Sequence, residues 1–230
     1  MSLTTGRGPL GKHPAGRFSA PVPEGVVYVE PHPRRIQAVV GGEVVLDTEQ
    51  ALLVHRPGQV LRYAFPPDAV GSLPHEADPE APGYVNVPWD AVDTWVEEGR
   101  ELVAYPPNPY HRVDCRPTRR RLHVEAAGEV LVDTDDTIIL FETGLAPKLY
   151  VAPEHVRTDL LRLSETRTYC NYKGWTRYWH AVVGDTVVED VAWTYDDPLP
   201  ESTQIKGWFS FEPGHADVTA ELPGDERGLR

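Results

Sequence analysis

Two cysteines in 230 residues, Cys115 and Cys170, stand 55 positions apart and neither belongs to a C-x-x-C pair. That excludes a disulfide framework and a cysteine-built zinc site. Basic residues are also short, 22 Lys and Arg against 35 Asp and Glu, leaving a formal net charge of −13. A surface of this sign repels phosphate backbones and anionic lipid, so neither nucleic acid nor a membrane is an expected partner. No apolar run approaches the roughly 20 residues of a membrane helix, and the opening residues lack the apolar stretch of a signal peptide. The expected compartment is the cytoplasm. Nine histidines show no H-x-x-x-H or H-E-x-x-H spacing, so neither a metal nor a cofactor is expected. The G-x-x-x-x-G-K-[ST] loop, the G-x-S-x-G elbow and a glycine-rich strand-to-helix unit are all missing, which argues against phosphate-loop, hydrolase and dinucleotide folds.

What is present is a repeat. The tract Arg34-Arg35-Ile36, Gly42-Glu43-Val44 and Asp47-Thr48 recurs 86 positions later as Arg120-Arg121-Leu122, Gly128-Glu129-Val130 and Asp133-Thr134. The match runs without a gap to Val70/Val156, and it indicates a tandem duplication. A second register pairs Trp89 with Trp193 and Asp114 with Asp217 near an offset of 104, so the second copy is expected to have gained about 18 residues. The organisation that follows is a Gly/Pro-rich arm over 1–30, a first β domain over 31–115, a second over 116–222 and a tail over 223–230.

Short β-rich runs punctuated by turns predict an all-β protein. Ile36 to Val40 and Glu43 to Leu46 flank Gly41-Gly42, which accept the positive φ of a tight hairpin turn. Leu122 to Val124 and Glu129 to Val132 flank Ala127-Gly128 in the same way, and Trp179 to Val183 and Thr186 to Trp193 flank Gly184-Asp185. Ile205 to Phe211 reads as a further strand. Helix is expected only from Pro88 to Glu98, where Trp89, Val92, Trp95 and Val96 share a face, and in a short stretch after Pro153.

The richest chemistry lies in Thr168 to Trp179. Gly174 permits a bend that turns the Lys173 ammonium into a pocket, where burial beside aromatics makes an amine a usable base or nucleophile. A nearby cation favours thiolate at Cys170, and Tyr172 and Tyr178 add phenols. Trp193 and Tyr195, at i and i+2 of a strand, form a wall for a flat ligand, although core packing explains Trp193 equally well. Arg157 forks onto an anionic group or braces its loop through Asp159. Cys170, Lys173 and Tyr172 are thus the candidate reactive groups, and Arg157, Asp159, Gly174, Tyr178, Trp193 and Tyr195 the candidate ligand contacts.

Several of these segments resemble tandem proteins of the bacterial family known as domain of unknown function 427. The resemblance is carried by Glu30-Pro31-His32-Pro33-Arg34-Arg35, by Pro109 to Asp114, by Leu140-Phe141-Glu142-Thr143-Gly144, by Arg157 to Leu161, by Trp193 to Pro198 and most specifically by Cys170-Asn171-Tyr172-Lys173-Gly174. Asn171 stands where the family usually has proline. The resemblance implies two tent-like β units, each of two small sheets meeting at an angle, and no established reaction. The expectation is a small-molecule pocket in the second copy, with metal-independent acid/base or covalent chemistry on Lys173 or Cys170, in a monomer or homodimer. A non-catalytic interaction module is one alternative. Nucleotide handling, suggested by a nucleotidyltransferase-like label on the family, is the other, although paired carboxylates for two magnesium ions are not evident.

Overall fold

The computed structural model describes residues 8, 10, 11, 13, 14 and 16–223. The chain is all-β, made of small antiparallel sheets joined by tight turns and short 3-10 turns. Its described residues divide into two compact units, one running up to His111 and the other starting at Arg112. The expected boundary after Cys115 falls inside a strand, because Val113–Thr118 pairs along its length with Thr137–Glu142. The end of the expected arm likewise belongs to the strand Tyr28–His32, and arm residues 1–7, 9, 12 and 15 and tail residues 224–230 lie outside the described residues. Among the described residues no helix is long and apolar enough to cross a membrane.

The first unit contains β1 (Tyr28–His32), β2 (Ile36–Val40), β3 (Glu43–Thr48), β4 (Ala51–His55), β5 (Arg62–Ala64), β6 (Glu76–Ala77), β7 (Val85–Asn86), β8 (Thr94–Glu97) and β9 (Arg100–Leu102). They form the sheets β1-β4-β5 and β3-β2-β8-β9 and the pair β6-β7. Gly41 and Gly42, at φ 58° and 83°, make the β2–β3 turn as expected. The helix expected over Pro88–Glu98 is instead a 3-10 turn at Trp89–Ala91 followed by β8. Two-residue alternation wins there: Trp95 and Glu97 are buried, Thr94 and Val96 are less so, and β8 completes its hydrogen bonds against β2. Glu98 and Gly99, both at positive φ, then turn the chain into β9. Trp95 stacks parallel on Phe65, with ring centroids 5.6 Å apart, in a core with Ile36, Ala38, Leu53 and Tyr63.

One carboxylate lies inside this unit. Glu97, 6% exposed, accepts hydrogen bonds from His32 Nε2 (2.9 Å), Tyr63 Oη (2.5 Å) and Arg34 Nη1 (2.5 Å). Burial pushes its carboxyl up, and the three donors override that and hold it at about 2.

The second unit contains β10 (Val113–Thr118), β11 (Leu122–Ala126), β12 (Glu129–Thr134), β13 (Thr137–Glu142), β14 (Lys148–Val151), β15 (Leu161–Leu163), β16 (Tyr169–Cys170), β17 (Gly174–Trp175), β18 (Arg177–Val183), β19 (Thr186–Thr194), β20 (Ser210–Phe211) and β21 (Asp217–Ala220). Its sheets are β10-β13-β14, β12-β11-β21 and β15-β18-β19-β20, with the pair β16-β17. The stretch after Pro153 forms two 3-10 turns, Pro153–His155 and Thr158–Leu160. Of the strand expected from Ile205 to Phe211, Ser210–Phe211 forms β20 and Phe209 bridges antiparallel to Val151, while Ile205 ends the 3-10 helix Pro200–Ile205.

Strand pairing in the two units coincides over their first halves. β1-β4-β5 and β10-β13-β14 share an order, β2–β3 and β11–β12 share a hairpin, and the hairpin bulge follows Ala38 in one and Val124 in the other. Glu97 then sits opposite Ile36 as Ala220 sits opposite Leu122, so the offset grows from 86 to 123 and the second unit holds 37 additional residues between these points. The sequence match of Trp89 with Trp193 is not a structural one: Trp89 lies in a 3-10 turn and Trp193 in β19. The difference between the two units exceeds 18 residues because the second holds the whole β18–β19 hairpin as well as β15, β16 and β17.

Candidate functional site

Strand alternation builds the floor of a cleft in the second unit. Ile138, Leu140 and Glu142 share one face of β13, and their partners across the ladders are Tyr150 and Lys148 on β14 and Pro117, Cys115 and Val113 on β10. Trp193 and Tyr195 bring a second wall from the end of β19, packing with Cys115, Ile138, Leu140, Tyr150 and Ile205. Trp193 Nε1 donates to Tyr150 Oη at 3.1 Å, which satisfies a buried indole and a buried phenol at once. Above this floor opens a cleft of about 350 Å³, within the range of small-molecule sites.

The segment carrying β16 and β17 supplies the remaining wall. Cys170 pairs with Gly174 across β16–β17, and the turn between them is closed by the Lys173 N–H donating to the Cys170 carbonyl at 3.2 Å. Gly174 sits at φ 96°, and a Cβ there would stand 3.4 Å from the Asp197 carbonyl oxygen, so only glycine suits both backbone and neighbour. The Leu199 N–H donates to the Lys173 carbonyl at 3.1 Å and pins the turn. Lys173 consequently reaches the cleft and forms an ion pair with Glu142, the two side chains being 10% and 8% exposed. Tyr178 also lines the cleft, with its hydroxyl 3.2 Å from that of Thr168. Lys148 lies over the Trp193 ring, 5.2 Å from its centroid, and 4.0 Å from Glu212.

Four of the sequence candidates therefore share one space: Lys173, Tyr178, Trp193 and Tyr195. Cys170 is beside it, its Sγ 3.9 Å from Glu142 Oε1, but the expected thiolate is not favoured. Burial pushes the thiol up, Lys173 pulls it down, and Glu142 pushes it up again, with a net rise. Iodoacetamide at neutral pH is expected to label Cys170 more slowly than a free cysteine, with labelling rising only in more alkaline solution; prompt labelling at neutral pH, followed by mass spectrometry, would contradict this. Tyr172 is half-buried and does not line the cleft, and its carbonyl accepts from Ser202 Oγ at 3.3 Å. Arg157 and Asp159 form a bidentate pair with each other, both bonds 2.8 Å, on the exposed surface away from the cleft lining. They brace their loop.

Sequence reasoning missed Glu142, Lys148 and Glu212. Glu142 was visible within the Leu140 to Gly144 segment, but nothing along the chain links it to Lys173, 31 positions away. Burial also pushes the Tyr195 and Tyr150 phenols well above their ordinary range, so both remain neutral hydrogen-bonding groups. Among the described residues no group of three or more His, Cys, Asp or Glu side chains is placed to hold a metal ion.

The second unit is thus a small antiparallel β domain with an aromatic cleft and a buried ion pair at its polar end. Residues 114–222, from within β10 to just past β21, match the family model described as Domain of unknown function (DUF427). That supports the family resemblance carried by the Cys170 to Gly174 segment. No curated protein matches the chain.

Proposed function

We propose that the second unit binds a small organic molecule in this cleft. Lys173 and Glu142 supply its polar end, and Tyr178, Trp193 and Tyr195 its wall. The observation that carries the reading is the Lys173–Glu142 pair itself. A buried ion pair seldom stabilises a fold more than apolar residues of the same size would, so an ammonium and a carboxylate kept at the floor of an open cleft fit a task in recognition. The cleft is charge-balanced, with Glu142 and Glu212 against Lys148 and Lys173, which favours an uncharged or zwitterionic ligand over a strong anion. Where the bound molecule reacts, proton transfer falls to the Lys173–Glu142 pair and not to the Cys170 thiol.

The shared strand order at a constant offset supports a tandem duplication as the origin of the two units. In this reading the later copy acquired β15 to β19 and with them Lys173, which has no counterpart in the first.

The test is a screen of uncharged and zwitterionic metabolites by melting temperature, repeated on the Lys173→Met/Glu142→Met double variant. A ligand present at 100 times its Kd adds about 2.7 kcal/mol to the wild-type unit, a shift of several degrees, and the double variant should lose it. Ligands that stabilise both proteins equally would reject the site.

A further inference from the structure

The first unit has a recess of its own, about 210 Å³, at the matching end of its β1-β4-β5 sheet. Arg56 follows β4 at the position that Glu142 holds at the end of β13, and Arg62 opens β5 as Lys148 opens β14. The charge at the first of these positions is therefore reversed. Among the described residues, the charged side chains lining the recess are these two guanidiniums, in a protein whose net charge is −13.

The two are not equivalent. Arg62 is neutralised by a bidentate contact with Asp78, at 2.8 and 2.7 Å, and by Glu80. Arg56 has a buried Nε with no hydrogen-bond partner. Burial pushes its guanidinium down, the neighbouring charge of Arg62 adds to that, and Glu80 and Asp78 offset the two only in part. An anion on the part of Arg56 that lines the recess would give the guanidinium a further counter-charge where Glu80 and Asp78 do not suffice. The wall is flat and aromatic: Phe65 stacks on Trp95 with a 1° interplanar angle, and Trp89 lies against Trp95 at 5.5 Å and 30°. Trp89 is only half-buried and leaves ring surface facing the recess.

We infer that the first unit binds a small planar carboxylate in this recess, with the carboxylate on Arg56 and the ring against the Trp89 side of the aromatic stack. A single ring with one carboxylate suits the volume, and Arg is the side chain whose planar fork matches that group. The two units then serve different ligands: a charge-balanced cleft in the second, an anion site in the first.

The experiment titrates benzoate into the full chain and follows the indole N–H resonances of Trp89 and Trp95, with benzamide as the neutral isostere. Saturable shifts are expected with a Kd on the order of 1 mM, and benzamide should bind at least about tenfold more weakly. Arg56→Met should weaken benzoate binding by about tenfold or more, while Lys173→Met/Glu142→Met leaves it unchanged. Should Arg56→Met not fold, the comparison of benzoate with benzamide on the wild-type chain decides alone. Absence of a saturable shift at about 20 mM benzoate, equal binding of benzamide, or retained binding in a folded Arg56→Met variant would overturn the inference.

Discussion

Lys173→Met is expected to lose about 3–5 kcal/mol of stability in the second unit, because it removes the cation paired with the Glu142 carboxylate in a site where that side chain is 8% exposed. The loss is expected to depend on pH with a definite sign. A buried carboxylate that has lost its cationic partner ionises less readily, so its folded-state pKa in the variant lies above that in the wild type. Between the two values the folded variant holds more protons than the folded wild type, and the stability lost by the substitution grows as pH rises. The variant should therefore be closer to wild type near pH 4 than at pH 8, read by urea unfolding at each pH. The double variant Lys173→Met/Glu142→Met removes both charges and should recover most of the loss. A single variant that unfolds like wild type at pH 8 would mean that the ion pair is solvated and that Glu142 is not held in the cleft floor.

Glu97→Gln should cost the first unit on the order of 3 kcal/mol at neutral pH and nearly nothing at pH 2. The carboxyl is held at about 2 against an ordinary 4.5, and each pKa unit of difference between folded and unfolded chains corresponds to about 1.4 kcal/mol. Because the folded value is the lower one, this stability is present above about pH 4.5 and disappears as pH falls towards 2. Hydrogen exchange of the β2 and β8 amides reports on this unit alone, since Glu97 lies on β8 directly opposite Ile36. In the wild type their protection should fall steeply below pH 4.5. In Glu97→Gln it should start lower and change less with acid. A variant with the wild-type acid slope would show that His32, Tyr63 and Arg34 do not draw their stabilising effect from this carboxylate.

How far these sites could be read from the chain depends on whether the deciding interaction is local. The hairpins at Gly41-Gly42, Ala127-Gly128 and Gly184 were legible, because a turn at positive φ between β-rich runs is specified by adjacent residues. The stretch from Trp89 to Glu98 was misread because Trp89, Val92, Trp95 and Val96 satisfy a helical spacing, while the strand is decided by β2 and by the partners of Glu97, at least 34 positions away. The same reason hid Glu142. Its side chain acquires meaning only when β13 and the β16–β17 turn are brought together, whereas Lys173 was conspicuous from its local setting of glycine and aromatics. The repeat was readable over the first half of each unit, where pairing keeps one offset. Beyond Val70 the coincidence of two tryptophans suggested a register that the ladders do not follow. Arg157 and Asp159, two positions apart, find each other as closely spaced opposite charges at a surface commonly do.

The claim on which the rest depends is that the amine of Lys173 and the carboxylate of Glu142 hold a ligand together. Calorimetric titration of one stabilising metabolite into wild type and into the folded double-methionine variant, at one pH and protein concentration, tests it most directly. Binding to the wild-type chain with at least about a tenfold loss in the variant, some 1.4 kcal/mol or more, is the predicted result. Equal affinity in the two proteins would contradict it.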